Sequence, residues 1–365
     1  MLENLTANAK FDVVEVLRFP LIILVLYIHV LPPQILPFEP AWDMENVFTL
    51  ISGLISHHVG QIAVPCFFLF SGYFFFINIK AFNASLYVEQ LKKRSRTLLM
   101  PYLLWNIFFV LVVLLKNFIF GQVGLSKDDM YNDLLIGSTY DIIWGVPFLF
   151  PFWYIRDLLC MIILSPLFYL LFKYTKSLGL LLLIIAYIMV WELGVPGLST
   201  TAFMFFGLGA FLGIGKYDMM ALGAKYKVAK SIMAVLLLSI AIYFNATPYY
   251  EYLIRGFIIF GVVVMLCLGN VLTETNHLKS QLLKLSPSVF FIYAIHAIYI
   301  INWLKGGFSK SLMSDTGLGN LIGYFTIPLI CLLICLCLFR LIQRYFPGVL
   351  AVFVGGRFIV KPTKN

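Results

Sequence analysis

The chain of 365 residues is 61% hydrophobic and only 12% charged, with a mean hydropathy of +0.95, which excludes an ordinary soluble domain and makes lipid the solvent for most of its length. Its net charge of +9 could suit a polyanion, but the basic residues sit in short loops between apolar runs, where membrane topology accounts for them, and the sequence offers no case for nucleic-acid binding. Cys66, Cys160, Cys267, Cys331, Cys335 and Cys337 lie inside apolar runs without metal-ligand spacing, so they read as small core hydrophobes and no metal site is expected.

Apolar segments long enough to cross the hydrocarbon core lie near 12 to 32, 60 to 79, 97 to 119, 152 to 173, 178 to 194, 199 to 215, 228 to 246, 252 to 272, 288 to 305 and 319 to 342. The expected fold is all-α: one polytopic transmembrane bundle over residues 1–365, with about ten spans and both termini cytoplasmic. The first run, from Val13, reads as an uncleaved anchor. An inside N-terminus puts Lys80, Lys92, Lys93, Arg94 and Arg96 in the first cytoplasmic loop. Lys173, Lys176, Lys216, Lys225, Lys227, Lys230, Lys279 and Lys284 fall in later ones, and Arg340, Arg344, Arg357, Lys361 and Lys364 at the tail. The opposite side offers Lys127 and Lys310, with Lys116, Arg156, Arg255 and Lys305 near span ends. Two longer outside loops, about 31–59 and 120–151, are each too small for an enzymatic domain.

In the first span, Arg18 and His29 lie eleven steps apart, about 16 Å along a helix and within about 20° of one face. Glu15, one turn before Arg18, is near enough to pair with it. Arg18 reads equally as an interfacial cation that snorkels or as a site residue. His29 is costly inside a span and points to a pathway or a reaction centre.

The second span reads Val64-Pro65-Cys66-Phe67-Phe68-Leu69-Phe70-Ser71-Gly72-Tyr73-Phe74, followed by Lys92-Lys93-Arg94-Ser95-Arg96 and by Leu98-Leu99-Met100-Pro101-Tyr102. Further along come Phe152-Trp153-Tyr154-Ile155-Arg156-Asp157-Leu158, Phe205-Phe206-Gly207-Leu208-Gly209-Ala210 and Ile292-Tyr293-Ala294-Ile295-His296. Together with the Arg-to-His spacing, these motifs and their order resemble the acyltransferase-3 family of membrane O-acyltransferases over nearly the whole chain. The resemblance implies transfer of an acyl group, usually acetyl, from cytoplasmic acyl-coenzyme A to a hydroxyl of a glycan or related acceptor at the outer face. It also implies that His29 is the essential histidine, Arg18 its partner, Lys93 and Arg96 the donor-binding pair, and Ser71 the serine of the Ser-Gly motif.

Elementary chemistry agrees. Coenzyme A is a polyanion on a long neutral arm, so Lys92, Lys93, Arg94 and Arg96 could meet its phosphates at the rim, or serve topology alone. His29 could act as general base on the acceptor hydroxyl, or carry the acyl group itself. No permanently bound cofactor is expected.

The remaining candidates are open between roles. Trp153 and Tyr154 fit an interfacial aromatic belt or an acceptor cleft, with Tyr73 a further lining candidate. Arg156 and Asp157, adjacent in sequence, do not face each other on a helix and could each orient a different group. His296 and Tyr293 share one helix face, either packed or beside the site. Glu192 reads as a solvated loop acid, with steering a sugar hydroxyl or pairing with a cation as alternatives. His57 and His58 read as solvated or interfacial. A transporter or flippase for a lipid-linked sugar or organic anion is the competing function, although no clear internal repeat supports it. Compact size and loop pattern suit a bacterial plasma membrane.

Overall fold

The computed structural model describes residues 2–31, 43–79, 82–121, 138, 140 and 144–356. Lys80, Lys127, Arg357, Lys361 and Lys364, with much of both expected outer loops, lie outside the described residues. The described residues contain helices and no strand. In order they are α1 (Leu2–Ile28), α2 (Met44–Phe76), α3 (Ala84–Phe120), α4 (Trp153–Ile163), α5 (Ser165–Thr175), α6 (Ser177–Ile188), α7 (Thr200–Ile214), α8 (Lys227–Tyr243), α9 (Tyr250–Glu274), α10 (Asn276–Phe308) and α11 (Gly317–Tyr345). Short helices Met219–Ala224 and Pro347–Phe353 fill connections.

Helices α2, α3, α9, α10 and α11 are long and apolar enough to cross a membrane, and α4 with α5 makes a sixth candidate bent by 58°. The bend falls at Ser165-Pro166, where the proline cannot donate to the preceding turn. Two expected spans shrink. The twelve residues of α6 rise about 18 Å, short of a hydrocarbon core of roughly 30 Å, and α7 is only one turn longer. The expected first outer loop also needs correction, because α2 begins at Met44 rather than near residue 60. Polar residues in 45–58 depress the hydropathy of what is one helical run. Its start is set by Asp43, whose carboxylate accepts from Asn46 N at 2.8 Å, as Asn83, Ser199 and Thr316 do for α3, α7 and α11.

Three π-helical turns interrupt the long helices, at Leu54–His58, Ser95–Leu99 and His296–Ile300. The second lies one turn before Pro101, which has no N–H to donate back along the helix, and there the register widens.

Helix α1 runs through the middle of the bundle, against α2, α9, α10 and α11. Val16, Leu17, Leu21 and Leu26 are wholly buried around its circumference, as a helix apolar on all sides demands. Its C-terminal end is clamped by a polar knot: Ser56 Oγ donates to Tyr27 O at 2.6 Å and lies 2.7 Å from the Tyr324 hydroxyl, which reaches Ser52 O at 3.3 Å.

Helices α2 and α7 approach backbone to backbone. A Cβ on Gly72 would sit 2.2 Å from Phe206 O, and one on Gly209 2.2 Å from Leu69 O and 2.6 Å from Tyr73 N. The Ser-Gly-Tyr and Phe-Phe-Gly-Leu-Gly-Ala motifs are therefore the two halves of one small-residue contact. Gly209→Ala should lower the melting temperature of the detergent-solubilised protein by several degrees, for a cost of about 1–3 kcal/mol. Gly306→Ala, where a Cβ meets nothing within 4 Å, should leave it unchanged; equal melting of both variants would refute the close-packing account.

Candidate functional site

Five helices enclose a cavity of about 520 Å³. From α1 it takes Glu15, Arg18, Ile22 and Val25; from α2, Val64, Phe67, Phe70, Ser71 and Phe74; from α3, Arg94 and Leu98; from α4, Tyr154, Ile155 and Leu158; from α10, Ser286, Phe290 and Tyr293 among others. The α1 contribution at positions 15, 18, 22 and 25 is one helical stripe whose next member is His29. On α10 the stripe through 286, 290 and 293 continues to His296 in the same way. The two stripes converge one turn beyond the cavity, where the rings of His29 and His296 lie 5.0 Å apart at 49°.

At its other end the cavity is polar. Glu15 Oε1 pairs with Arg18 at 2.5 Å, and Oε2 accepts from the Ser286 hydroxyl. Arg94 is partly buried, and its Nε has no hydrogen-bond partner among the described residues. Lys93 and Arg96 flank it in sequence but are exposed and do not line the cavity. The π turn that begins at Ser95 rotates the helix between Arg94 and the span that follows, so of the basic run Arg94 alone turns inward. Ser286 follows no motif; its only mark is Pro287 at a helix start.

His29 sits in the turn that ends α1, its N–H bonded to Leu26 O at 3.1 Å. The Lys305 ammonium donates to its carbonyl at 3.2 Å. His296 is fully buried, and its Nδ1 lies 3.0 Å from Ile292 O. Two residues on, α10 leaves helical geometry at Ile298 (φ −80°, ψ 76°) and Tyr299 (φ 61°, ψ −20°). Positive φ on a bulky residue is strain that persists only where the surroundings impose it.

The other sequence candidates divide. Tyr154 lines the cavity, with its ring 4.7 Å from Phe68 and 6.1 Å from Tyr293, while Trp153 does not. Ser71 faces the cavity, whereas Tyr73 turns away and donates to Tyr217 O at 3.3 Å. Arg156 and Asp157 correct the expectation that neighbours do not pair: Arg156 Nε and Nη2 reach Asp157 Oδ1 at 3.0 and 2.8 Å, while Nη1 holds the carbonyls of Trp144 and Gly145. At the first turn of α4 the long guanidinium folds back over its neighbour and ties it to the preceding chain. His58 is buried rather than solvated, with Nδ1 2.9 Å from Gly53 O and its ring against Tyr250. No cluster of three metal-ligating side chains occurs among the described residues.

Glu192 is likewise no free loop acid. Its Oε1 pairs with Arg255 at 2.9 Å, and its oxygens accept from the backbone and hydroxyl of Thr200, so it caps α7 away from the cavity. Partial burial opposes its charge, but the hydrogen bonds from Thr200 and Arg255 outweigh this and hold the carboxyl below its ordinary range. A lowered folded value means stability that is present above the unfolded pKa of about 4.3 and lost as pH falls through the folded one. Wild type should therefore melt above Glu192→Gln at pH 7, with the gap closing as pH is taken well below about 4. A pH-independent gap would show that the carboxylate's charge is not what matters.

Compared with known proteins, residues 11–355 match the family described as "Acyltransferase domain". The succinoglycan biosynthesis protein ExoH of Rhizobium meliloti (strain 1021) is 25% identical over 357 residues, covering 94% of this chain and 92% of that protein. No solved structure matches.

Proposed function

The chain belongs to the acyltransferase-3 family, and from that premise we propose that it moves an acyl group, acetyl in the simplest case, from cytoplasmic acyl-coenzyme A to a hydroxyl of an extracytoplasmic glycan. The observation that carries this reading is the cavity that starts among Glu15, Arg18, Arg94 and Ser286 and rises to within one turn of His29. In this reading both termini face the cytoplasm of a bacterial cell, and the polar end of the cavity lies where a cytoplasmic donor arrives.

Donor chemistry suits the two ends. A volume of about 520 Å³ falls within the usual range for small-ligand sites. It is sized for a pantetheine arm and acyl group with the nucleotide left at the rim. Arg94 offers a buried guanidinium N–H to a phosphate oxygen, and Lys93 and Arg96 add exposed positive charge beside it. The apolar walls, Ile22, Val25, Phe67 and Phe70 among them, accept the arm and exclude water.

Beyond the far end of the cavity His29 takes the proton of the acceptor hydroxyl as its oxygen attacks the thioester carbonyl. The new C–O bond forms, the C–S bond breaks, and the proton passes to the departing thiolate. The similarity to a protein of succinoglycan biosynthesis supports a polysaccharide, or its lipid-linked precursor, as acceptor.

Membranes containing the protein, given radiolabelled acetyl-coenzyme A, should deliver label to extracted glycan, and His29→Ala should cut this at least about 100-fold. Label transfer that survives His29→Ala would remove the catalytic assignment; label held on His29 itself would replace direct transfer with an acyl-enzyme. Glycan export that depends on the protein without any label transfer would favour the flippase reading. Arg94→Ala should weaken coenzyme A binding roughly tenfold or more, the worth of one charge-assisted hydrogen bond. Arg96→Ala, being exposed, should cost less and lose its effect in high salt, and unaltered binding at low salt would strike it from the donor site.

A further inference from the structure

Beyond the cavity, the structure pairs His29 with a second histidine whose hydrogen bonding is incomplete. His296 Nδ1 lies 3.0 Å from Ile292 O. A carbonyl can only accept, so Nδ1 carries the proton and, in the neutral ring, Nε2 presents a lone pair. That Nε2 is buried and has no partner among the described residues, a position that is costly to leave unfilled. The His29 ring lies next to that of His296, with centroids 5.0 Å apart.

We infer that His296 is a positioning residue for His29: in the reacting enzyme, by a small turn of the rings from the 5.0 Å spacing seen here, its Nε2 accepts an N–H from the His29 ring, which fixes one tautomer and leaves the other His29 nitrogen as the bare lone pair that meets the acceptor hydroxyl. The inference rests on the acyltransfer reading and deepens it. When His29 takes the acceptor proton it becomes an imidazolium with both nitrogens protonated. The bond to His296 then becomes charge-assisted and strengthens as the reaction proceeds.

The surroundings hold the two rings side by side. The His29 backbone is tied down by Lys305. Tyr293 packs 6.4 Å from His296, ring to ring, and its hydroxyl is committed to Pro151 O. The unwound backbone at Ile298 and Tyr299 ends the helix just past His296, so α10 need not continue straight beyond the pair. Other charged groups on the packed helices are engaged elsewhere: Arg18 with Glu15 and Arg156 with Asp157.

The test compares His296→Phe, which keeps a ring of similar size without an acceptor, with His296→Gln, whose amide oxygen can replace Nε2. Both are assayed for label transfer from acetyl-coenzyme A in membranes holding the full chain, and for the His29 tautomer by the ¹⁵N spectrum of histidine-labelled protein. In His296→Phe, kcat should fall about 100-fold at unchanged donor KM, with the single His29 tautomer lost. His296→Gln should recover at least tenfold of that loss. Wild-type kcat in His296→Phe, or no rescue by glutamine in a protein that melts normally, would overturn the inference. Should His296→Phe fail to fold, a wild-type spectrum without a single His29 tautomer overturns it alone. The underlying reading fails separately, through transfer that survives His29→Ala.

Discussion

Lipid offers neither donors nor acceptors, so the polar groups of this bundle must look for partners inside the chain. The irregular parts follow from that condition. Where Pro101 has no N–H to donate back along α3, the helix widens into a π turn. Beside the π turn at Leu54–His58, the Ser56 and Tyr324 hydroxyls gather the carbonyls of Tyr27 and Ser52. At the end of α1 the carbonyl of His29, left without a helical donor, receives Lys305. Satisfying the C-terminal end of α1 is thus what holds His29 at a defined place beside α10.

The same condition gives meaning to the groups that remain unsatisfied. Arg94 Nε, Asp157 Oδ2, His58 Nε2, Ser165 Oγ and His296 Nε2 are buried polar atoms without a partner among the described residues. Two of these five lie on the line from the polar end of the cavity to the histidine pair. A guanidinium at the start of that line and an imidazole at its end suit an anionic donor headgroup and a proton to be moved, respectively.

What could be read from the sequence was whatever depends on a single helix. Arg18 and His29 share a stripe because eleven steps nearly close three turns, and the structure fills that stripe with Glu15, Ile22 and Val25. Properties that depend on two helices were not legible. Gly72 and Gly209 read as separate motifs until their backbones met. Glu192 looked like a loop acid because Arg255 is 63 residues away. Choosing Arg94 over Lys93 and Arg96 requires knowing that the helix changes register at Ser95, and hydropathy carries no sign of a π turn. Span limits failed for a related reason: a window average cannot see that Asp43 caps a helix whose first turns are polar.

The cations that spoiled the charge asymmetry turn out to be a different population. Arg156 is bound to Asp157 and two carbonyls, Arg255 to Glu192 and the Tyr187 face, Lys305 to the His29 carbonyl, and Lys116 lies 4.3 Å over the Tyr299 ring. A topological cation acts by being hard to carry across lipid and easy to leave in water. One that is held by its own bundle stays out of that choice, since its charge is met by protein on whichever side it lies. Counting these four against the inside-basic rule would weaken an orientation to which they do not speak. Their placement near span ends instead marks where the bundle is stitched together: around α4, at the head of α7, and beside the histidine pair.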